Sequence, residues 1–307
     1  MPRYIYGPVK SRRLGLSLGA DIVPMKTCCF DCIYCQLGSG YRPTVTRGRF
    51  VPLEKVIEQI GARLEEIPRV PDYITIGGSG EPTLNESFGD LASALRKEFD
   101  IPVCLLTNGS LMWLEQVRAA CTDFDLIVPG LDACDESMFQ AVNRPHGALS
   151  FEKLLTGLER LREEFKGAIW LEVFLIPGLN TSEQQCRRFK KLAERLKPDK
   201  IHLNTAVRPP AESSVRPLCS ERMQQIRRFF GPKAESIASL RPRLDGHGGI
   251  KEEEIIGILH RRPCTAGDIA SAYDASVAEA EEKLQKLISR GKVNAERRDG
   301  KVFYMAN

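Results

Sequence analysis

Short apolar segments alternate with amphipathic stretches over most of this chain. Six runs are short and rich in β-branched or apolar residues, as buried strands are, and they occupy residues 18–23, 73–77, 102–106, 125–130, 169–176 and 201–205. Helical spacing of apolar residues predicts helices at 53–66, 87–98, 111–120, 135–142, 151–165 and 182–196. Thr181 with Gln184 predicts a capping box, and Ser150 marks a second helix start.

This alternation indicates the fold class. Strands joined by crossover helices form right-handed βαβ units and a parallel sheet. Six units are too few for a closed eight-fold barrel. The pattern therefore favours an α/β fold of the open, partial (βα)6 TIM-like barrel type, with a doubly wound sheet as the alternative. In a barrel, functional groups gather at the C-terminal ends of the parallel strands.

A different pattern begins near residue 245, where DGHGG (245–249) predicts a flexible joint. Three short amphipathic helices follow, the first over KEEEIIGILH, the second opened by Thr265 and the third by Ser276. Two short strands joined by Asp299-Gly300 complete the segment. Three helices and a hairpin predict a small winged-helix domain. The chain then divides into a core domain (1–243), a linker (244–250) and a winged helix (251–307).

The charge of the C-terminal segment bears on its role. Residues 251–307 hold ten acidic and ten basic side chains. A module without net positive charge is poorly suited to neutralise phosphates. Protein contact or dimerisation is therefore favoured over DNA binding, and both stay open at this point.

Composition points to a globular protein of 307 residues and 34.3 kDa. No apolar run approaches the roughly 18 residues of a membrane span, and the start, MPRYIYGPVKSRR, contains no apolar core of a signal peptide. We expect a cytoplasmic protein without membrane contact. In that compartment ten cysteines indicate metal binding or chemistry rather than disulfides.

Positive charge is unevenly distributed along the chain. The net charge is +4, yet residues 184–243 hold fifteen Lys and Arg against five Asp and Glu, and residues 1–49 hold eight against two. Such asymmetry predicts a positive face for RNA or another anionic partner. Solvated helix faces, such as RRFKKLAERLK at 187–197, are the alternative.

Cys28, Cys32 and Cys35 form a C-x3-C-x2-C motif directly after the first predicted strand. Three thiolates leave one iron of a 4Fe-4S cube without a protein ligand, so a small molecule can coordinate it. A structural zinc site requires four ligands, and no histidine precedes His146. The motif therefore favours a three-cysteine 4Fe-4S cluster over zinc.

This spacing, with Tyr34 before the last cysteine, resembles the radical SAM superfamily. The resemblance implies a partial (βα)6 barrel in which the open iron chelates S-adenosylmethionine. It also implies an external electron donor, flavodoxin- or ferredoxin-like, whose electron splits the sulfonium to give a 5'-deoxyadenosyl radical. No catalytic side chain is assigned from the sequence.

The same resemblance implies S-adenosylmethionine contacts at the ends of the strands. The motif Gly77-Gly78-Ser79-Gly80-Glu81-Pro82 resembles the glycine-glycine-glutamate motif that receives the methionyl ammonium. Polar residues after the third and fourth strands can hold ribose or carboxylate, or simply cap helices and loops. Ile176-Pro177-Gly178 and Asn180 resemble the apolar and glycine element that flanks adenine in that superfamily. The assigned residues are Tyr34, Gly77, Gly78, Gly80, Glu81, Thr107, Asn108, Asp132, Ile176, Gly178, Leu203 and Asn204.

Three further segments carry basic residues that core packing does not explain. They are GPVKSRRLG (7–15), VNRPH (142–146) and VRPPAES (207–213). Arginine suits bidentate capture of carboxylate or phosphate, so an anionic substrate is a reasonable hypothesis, with unliganded surface arginines as the alternative. The candidate substrate residues are Lys10, Arg12, Arg13, Arg144, His146 and Arg208.

Residues 20–210 are most similar to the wyosine-synthase-related group, through GSGEPTLN, LLTNG and LDA followed by NRP. That resemblance implies tRNA guanosine modification, although only the cluster and cofactor chemistry is carried over. The main hypothesis is a radical SAM enzyme acting on an anionic substrate, which includes RNA or tRNA. The alternatives are a radical SAM enzyme that modifies or activates a partner protein, and a non-enzymatic iron-sulfur regulator whose winged helix binds DNA.

Overall fold

The largest element of the fold is an eight-stranded sheet whose strands neighbour one another in chain order. A computed structural model describes residues 2–237, 250–273, 275–298 and 300–307. β1 and β2 pair antiparallel, and each neighbouring pair from β2 to β8 is parallel. The strands are β1 (Ile5–Ser11), β2 (Gly15–Asp21), β3 (Tyr73–Gly77), β4 (Val103–Thr107), β5 (Leu126–Pro129), β6 (Ala168–Phe174), β7 (Lys200–Asn204) and β8 (Ala234–Ser236). The fold is thus the predicted α/β partial barrel.

Amphipathic helices cover the outer face of this sheet. Their apolar sides pack on alternate strand residues such as Ile74 and Ile127, which are fully buried in the main core. The helices are α1 (Leu53–Glu66), α2 (Phe88–Glu98), α3 (Glu115–Ala119), α4 (Glu136–Asn143), α5 (Phe151–Glu164), α6 (Glu183–Leu196) and α7 (Ser220–Phe230), and a single 3₁₀ turn spans Pro82–Leu84. No helix in the described ranges is long and apolar enough to cross a membrane.

A smaller apolar cluster fills the inner face at the N-terminal ends of the strands. Leu14, Cys104, Leu126 and Val128 are buried together there, and Trp170 packs against them. These residues alternate along the strands with residues of the main core, which is why they point inward. Described side chains thus occupy this end of the barrel, which leaves the C-terminal ends of the strands for a ligand.

The structure corrects several local expectations. β1, β8 and α7 were missed; β1 contains Gly7-Pro8, residues typical of turns, and its register with β2 shifts between Tyr6 and Val9. The predicted helix 111–120 forms only at Glu115–Ala119. The capping box predicted at Thr181 and Gln184 is wrong by one residue, since Ser182 and Gln185 form it.

The C-terminal unit (residues 250–307) has the predicted order of elements. It comprises α8 (Glu252–Leu259), α9 (Ala266–Tyr273), α10 (Val277–Ser289), β9 (Val293–Arg298) and β10 (Lys301–Ala306). Its apolar core also includes Val9 of β1, with Tyr6 packed against it, so the unit docks on the edge strand of the barrel. The expected joint at 245–249 and Asp299 lie outside the described residues. The winged-helix interpretation and the domain boundaries stay predictions.

Candidate functional site

The three cysteines of the motif lie in the long connection between β2 and α1. Tight turns shape this segment: the Cys35 amide donates to the Cys32 carbonyl at 3.0 Å. All three thiols are free and half-buried. Cys29, in contrast, is fully buried in the main core, so the fourth thiol of the segment is unavailable as a ligand.

Two asparagine side chains approach these sulfur atoms. Asn108 Nδ2 lies 3.5 Å from Cys28 Sγ, and Asn143 Nδ2 lies 3.5 Å from Cys32 Sγ. Burial raises the pKa of the Cys28 thiol to about 12, so the thiolate form requires compensating positive charge. Amide donors and bound iron are the groups that stabilise such thiolates.

The donor set fits an iron-sulfur cluster better than a single metal ion. Within the described ranges, no three His, Cys, Asp or Glu side chains are arranged to hold one ion. Thiolates of a tetrahedral zinc site converge on a single atom, whereas cysteines that bind a cube each take a different iron and stand further apart. Three free thiols, two of them with an amide donor, supply the ligands that a 4Fe-4S cluster with one open iron needs.

The glycine-rich loop after β3 packs directly on the cysteine segment. A Cβ atom on Gly80 would lie 2.1 Å from the Thr27 carbonyl oxygen, so only glycine fits there. Gly78 has a φ of +130° and a Cβ on it would meet the Asp21 carboxylate at 2.4 Å. Asp21 in turn accepts from the Ser79 hydroxyl at 2.6 Å. The predicted small residues thus permit close contact between two loops.

Glu81 connects the ends of β3 and β4. Its side chain is 1% exposed, and Oε1 accepts from the hydroxyls of Thr83 and Thr107 at 2.6 and 2.7 Å. Oε2 accepts from the Asn108 amide at 2.7 Å, which fixes the residue that approaches Cys28. Burial raises the pKa of Glu81 while these hydrogen bonds lower it. Sequence analysis placed Glu81 on the methionyl ammonium, and the contacts of its oxygen atoms are to these neighbouring residues.

Asp132, after the end of β5, likewise connects neighbouring elements by accepting hydrogen bonds. One oxygen accepts from Tyr34 and from Asn143 Nδ2, and the other accepts from the Phe174 amide at 2.9 Å. Burial raises the pKa of Asp132 to about 6 although these bonds lower it. The Tyr34 ring stacks on Phe174 with centroids 3.9 Å apart. Residues assigned from motifs on separate strands are therefore in contact.

The element after β6 is held by the fully buried Asn180. Its side chain donates to the carbonyls of Asp132 and Phe174 and accepts from the Ile176 amide. Gly178 has a φ of +77° and open space around it. At the end of β7, Leu203 is buried and Asn204 donates to Glu172 at 2.9 Å.

The segment VNRPH (142–146) forms backbone hydrogen bonds with the cysteine segment. The carbonyl of Asn143 accepts from the Asp31 amide at 3.1 Å, and the His146 amide donates to the Cys29 carbonyl at 2.9 Å. Arg144 forms an exposed ion pair with Glu212 at 2.7 Å. No hydrogen bond or ion pair between described residues joins Arg144 or His146 to Arg12, Arg13 or Arg208, so the assignment of Arg144 and His146 to the substrate stays a prediction.

Arg12, Arg13 and Arg208 lie close together. Arg13 forms an ion pair with Glu172 on the inner face of β6 at 2.7 Å. Burial lowers the pKa of Arg12 to about 10, with Arg208 and Arg13 as the next largest causes. Lys10, the other candidate of this segment, lies in β1 opposite Leu16.

Sequence analysis missed two arginines of the C-terminal unit. Arg261 stacks on the Tyr6 ring at 4.6 Å and forms an ion pair with Asp21 at 3.3 Å. Arg262 adds to the charges that lower the pKa of Arg208, after burial. The adjacent arginines in HRRPC could have indicated an anion site. They were not singled out because the acidic and basic side chains of residues 251–307 are equal in number. Asn143 was also missed, although it lies within a segment that was singled out.

The predicted positive face on α6 is largely paired. Carboxylates pair with three of its basic side chains, Arg187 with Glu183, Arg188 with Asp135 and Arg195 with Glu159, and Lys190 donates to the Phe229 carbonyl. Such pairing weakens the local potential that would attract a polyanion. These contacts favour the interpretation of a solvated helix face.

Comparison with known proteins agrees with this geometry. The sequence profile of the Radical SAM superfamily matches residues 22–189. A UPF0026 protein of Methanocaldococcus jannaschii is 33% identical, and the alignment covers 98% of this chain and 95% of that protein. A protein of Brachyspira hyodysenteriae named GTPase Obg is 35% identical, but this chain spans only 45% of its length.

A solved structure shows the same fold. The radical SAM methyltransferase of Sphaerobacter thermophilus superposes with a TM-score of 0.57 at 18% identity, over 72% of this chain and 66% of that one.

Proposed function

Because the chain belongs to the Radical SAM superfamily, an enzyme superfamily whose members use a 4Fe-4S cluster and S-adenosylmethionine, we propose that it abstracts hydrogen from a small anionic substrate. The observation that carries this proposal is the convergence of the cysteine segment, Glu81 and Asp132 at the C-terminal ends of the strands. In a barrel this is where chemistry takes place.

Cys28, Cys32 and Cys35 would hold the cluster. When bound, the cluster and S-adenosylmethionine supply a 5'-deoxyadenosyl radical. The chain's own groups prepare the site: Asn108 and Asn143 direct amide hydrogens at two of the sulfurs. The Glu81 carboxylate accepts from the backbone amide of Asn108 and so holds Asn108 in place. Glu81 is therefore a positioning residue.

The residues assigned to S-adenosylmethionine surround this segment. Because Gly78 and Gly80 carry no side chains, their loop packs closely on Asp21 and Thr27, and this brings the backbone of the glycine-rich loop, which begins at Gly77, beside the cysteine segment. Tyr34, Asp132 and Phe174 form one hydrogen-bonded and stacked group. We propose that these residues bind the cofactor, and that Gly178, whose surroundings are open, allows adenine to approach.

The charge of the inner face supports an anionic substrate. Arg13 reaches β6, where it forms an ion pair with Glu172. Glu172 also accepts a hydrogen bond from Asn204, so its carboxylate offsets the positive charge of Arg13 only in part. Because three of the five basic side chains of α6 pair with carboxylates, we favour a small anion over RNA. An external reductant, flavodoxin- or ferredoxin-like, completes the proposal.

The test is an anaerobic assay. Wild type, Cys32→Ala and the matched control Cys219→Ala, whose thiol is exposed, are reconstituted with iron and sulfide and given S-adenosylmethionine and dithionite. We expect 5'-deoxyadenosine from wild type and Cys219→Ala and none from Cys32→Ala. Absence of product from fully reconstituted wild type would contradict the proposal.

A second arm concerns the substrate. Total tRNA is added to wild type and to a variant in which Lys190, Lys191 and Arg195 are neutralised. We expect no stimulation by tRNA in either protein. Stimulation that the triple variant loses would instead establish the RNA form of the hypothesis.

A further inference from the structure

Five arginines lie where the C-terminal unit docks on the barrel, with Arg13, Arg208 and Arg262 near Arg12 and Arg261 next to Arg262 in the chain. Arg12 and Arg13 come from the turn between β1 and β2, Arg208 from the segment after β7, and Arg261 and Arg262 from the turn after α8. Arg208 contacts α9 through Asp268 at 3.8 Å. We call these five residues the arginine cluster.

Several guanidinium groups of the cluster are buried with unsatisfied donors. The side chains of Arg208 and Arg261 are 11% and 14% exposed. The Nε atoms of Arg208, Arg261 and Arg262 are buried and have no hydrogen-bond acceptor in the described part of the chain. Arg261 Nε lies near Asp21, but without the alignment of a hydrogen bond. Buried unsatisfied donors are rare in proteins, and an ion or a water molecule bound beside them supplies the missing acceptor.

The charges of the cluster do not balance. The described carboxylates that pair with it are Glu172 with Arg13, Asp21 with Arg261, and Asp268 with Arg208. Among the described residues, five guanidinium groups face three carboxylates, an excess of two positive charges. No ion pair joins Arg12 or Arg262 to a carboxylate among the described residues. Like charges held together without water destabilise the free protein and favour a bound anion.

We propose that the arginine cluster binds a phosphate dianion carried by the substrate. Planar guanidinium groups match the oxygen atoms of phosphate in pairs, and a dianion equals the excess charge. This inference rests on the proposed function, since it names the chemical class of the anionic substrate of that same enzyme.

Two contacts connect the arginine cluster to the cofactor site. Asp21 Oδ2 accepts from the Ser79 hydroxyl in the glycine-rich loop and also forms the ion pair with Arg261. Glu172 lies two residues before Phe174, which stacks on Tyr34, and it pairs with Arg13. A phosphate held by the cluster therefore leaves the rest of the substrate facing the inner face of the barrel.

The C-terminal unit contributes side chains to this anion site. It supplies Arg261 and Arg262, and its core includes Val9 of the edge strand, so it is part of the wall of the substrate site. Its overall charge balance is then no obstacle, because the two arginines that matter face inward. The unit completes an anion site instead of binding a nucleic acid surface.

The test measures phosphate binding by the whole chain before the iron-sulfur cluster is reconstituted. Inorganic phosphate and phenyl phosphate are titrated by calorimetry at constant ionic strength into wild type, Arg262→Met and Arg12→Met. The control is Arg290→Gln in the same unit, whose side chain is 54% exposed and paired with Glu252. We expect at least tenfold weaker binding in both cluster variants and unchanged binding in the control.

Thermal unfolding provides a second readout. Because the guanidinium groups of the arginine cluster repel one another when no anion is bound, we expect each variant without phosphate to unfold at the same temperature as wild type or higher. Phosphate raises the unfolding temperature of wild type, and we expect each variant to lose this shift. Equal stabilisation of wild type by phosphate and by chloride of the same ionic strength would overturn the inference. So would variants that bind phosphate as wild type does.

Dimethyl phosphate distinguishes a terminal phosphate from the diester of a nucleic acid strand. It carries one charge, so we expect at least tenfold weaker binding than for phenyl phosphate, and equal binding would overturn the assignment of a dianion. The outcome is separate from the proposed function. Failure of phosphate binding with intact cleavage of S-adenosylmethionine removes only this inference. Phosphate binding without cleavage would keep the anion site but remove the proposed function, and with it the assignment of the phosphate to the substrate.

Discussion

The hydroxyl of Tyr34 donates a hydrogen bond to the carboxylate of Asp132. This contact joins the segment that carries the three cysteines to the end of β5. The Tyr34 ring also stacks on Phe174 at the end of β6. The cysteine segment is therefore positioned by side chains from two parallel strands as well as by its own turns.

We predict that Asp132→Asn destabilises the protein without cluster. Asp132 accepts from Tyr34, Asn143 and the Phe174 amide, whereas the single oxygen of an amide cannot serve all three donors. One or more buried donors lose their acceptor, which costs about 2 kcal/mol. Urea unfolding at pH 8, where the wild-type carboxyl is ionised, measures the loss.

Asp100→Asn is the matched control, because Asp100 is exposed. It should stay within roughly 0.5 kcal/mol of wild type. Equal stability of Asp132→Asn and wild type would show that the three contacts are not formed in solution.

We predict that Asn143→Ala lowers the reduction potential of the reconstituted cluster. Asn143 Nδ2 points at Cys32 Sγ, and a donor at a ligand sulfur stabilises the more negative, reduced state. A hydrogen bond worth about 1 kcal/mol corresponds to roughly 40 mV for a one-electron couple. An EPR-monitored redox titration measures the shift, and Asn294→Ala, in the exposed part of β9, should leave the potential unchanged. A shift to higher potential in Asn143→Ala would contradict the assigned donor.

We predict that Gly80→Ala impairs cluster incorporation. Its new Cβ atom would lie 2.1 Å from the Thr27 carbonyl, so the glycine-rich loop and the cysteine segment must separate. We expect a loss of about 2 kcal/mol or more, as for other overpacked sites, with less than half the iron per chain. Gly147→Ala, with open space around the residue, should match wild type in iron content and unfolding. Normal iron content in Gly80→Ala would show that the two loops are not in contact.

We predict that His202 makes stability fall at acid pH. Burial lowers its pKa to about 4, with Arg13 as the next cause, so the folded state keeps it neutral while the unfolded chain protonates it near pH 6.5. The contribution of His202 is fully present above pH 6.5 and is lost between 6.5 and 4, at up to about 1.4 kcal/mol per pH unit. Urea unfolding of wild type and His202→Gln at several pH values measures the difference in slope.

His260→Gln is the control for this series, because His260 is exposed. Its unfolding should follow the wild-type pH dependence. The same slope in His202→Gln as in wild type would mean that another group titrates in this range.

Local pattern was enough for the elements that alternate apolar and polar positions. α1 forms at Leu53–Glu66, the range that helical spacing predicts, and β3 at Tyr73–Gly77 likewise. β1 was missed because Gly7 and Pro8 are typical of turns, and it forms because it pairs with β2. α7 and β8 depend in the same way on packing that distant residues provide.

The sequence by itself determined the chemistry of the cluster site. The spacing of Cys28, Cys32 and Cys35 is a local property, and a polar residue after a strand is placed at the sheet edge by the fold class alone. Tertiary structure decided the partners of those residues: Glu81 and Asp132 bond to groups on other strands. It also brought Arg262 near Arg12 and Arg208. Ion pairing and hydrogen bonding act over a few ångströms in space, and separation along the chain does not reveal which residues the fold will bring within that distance.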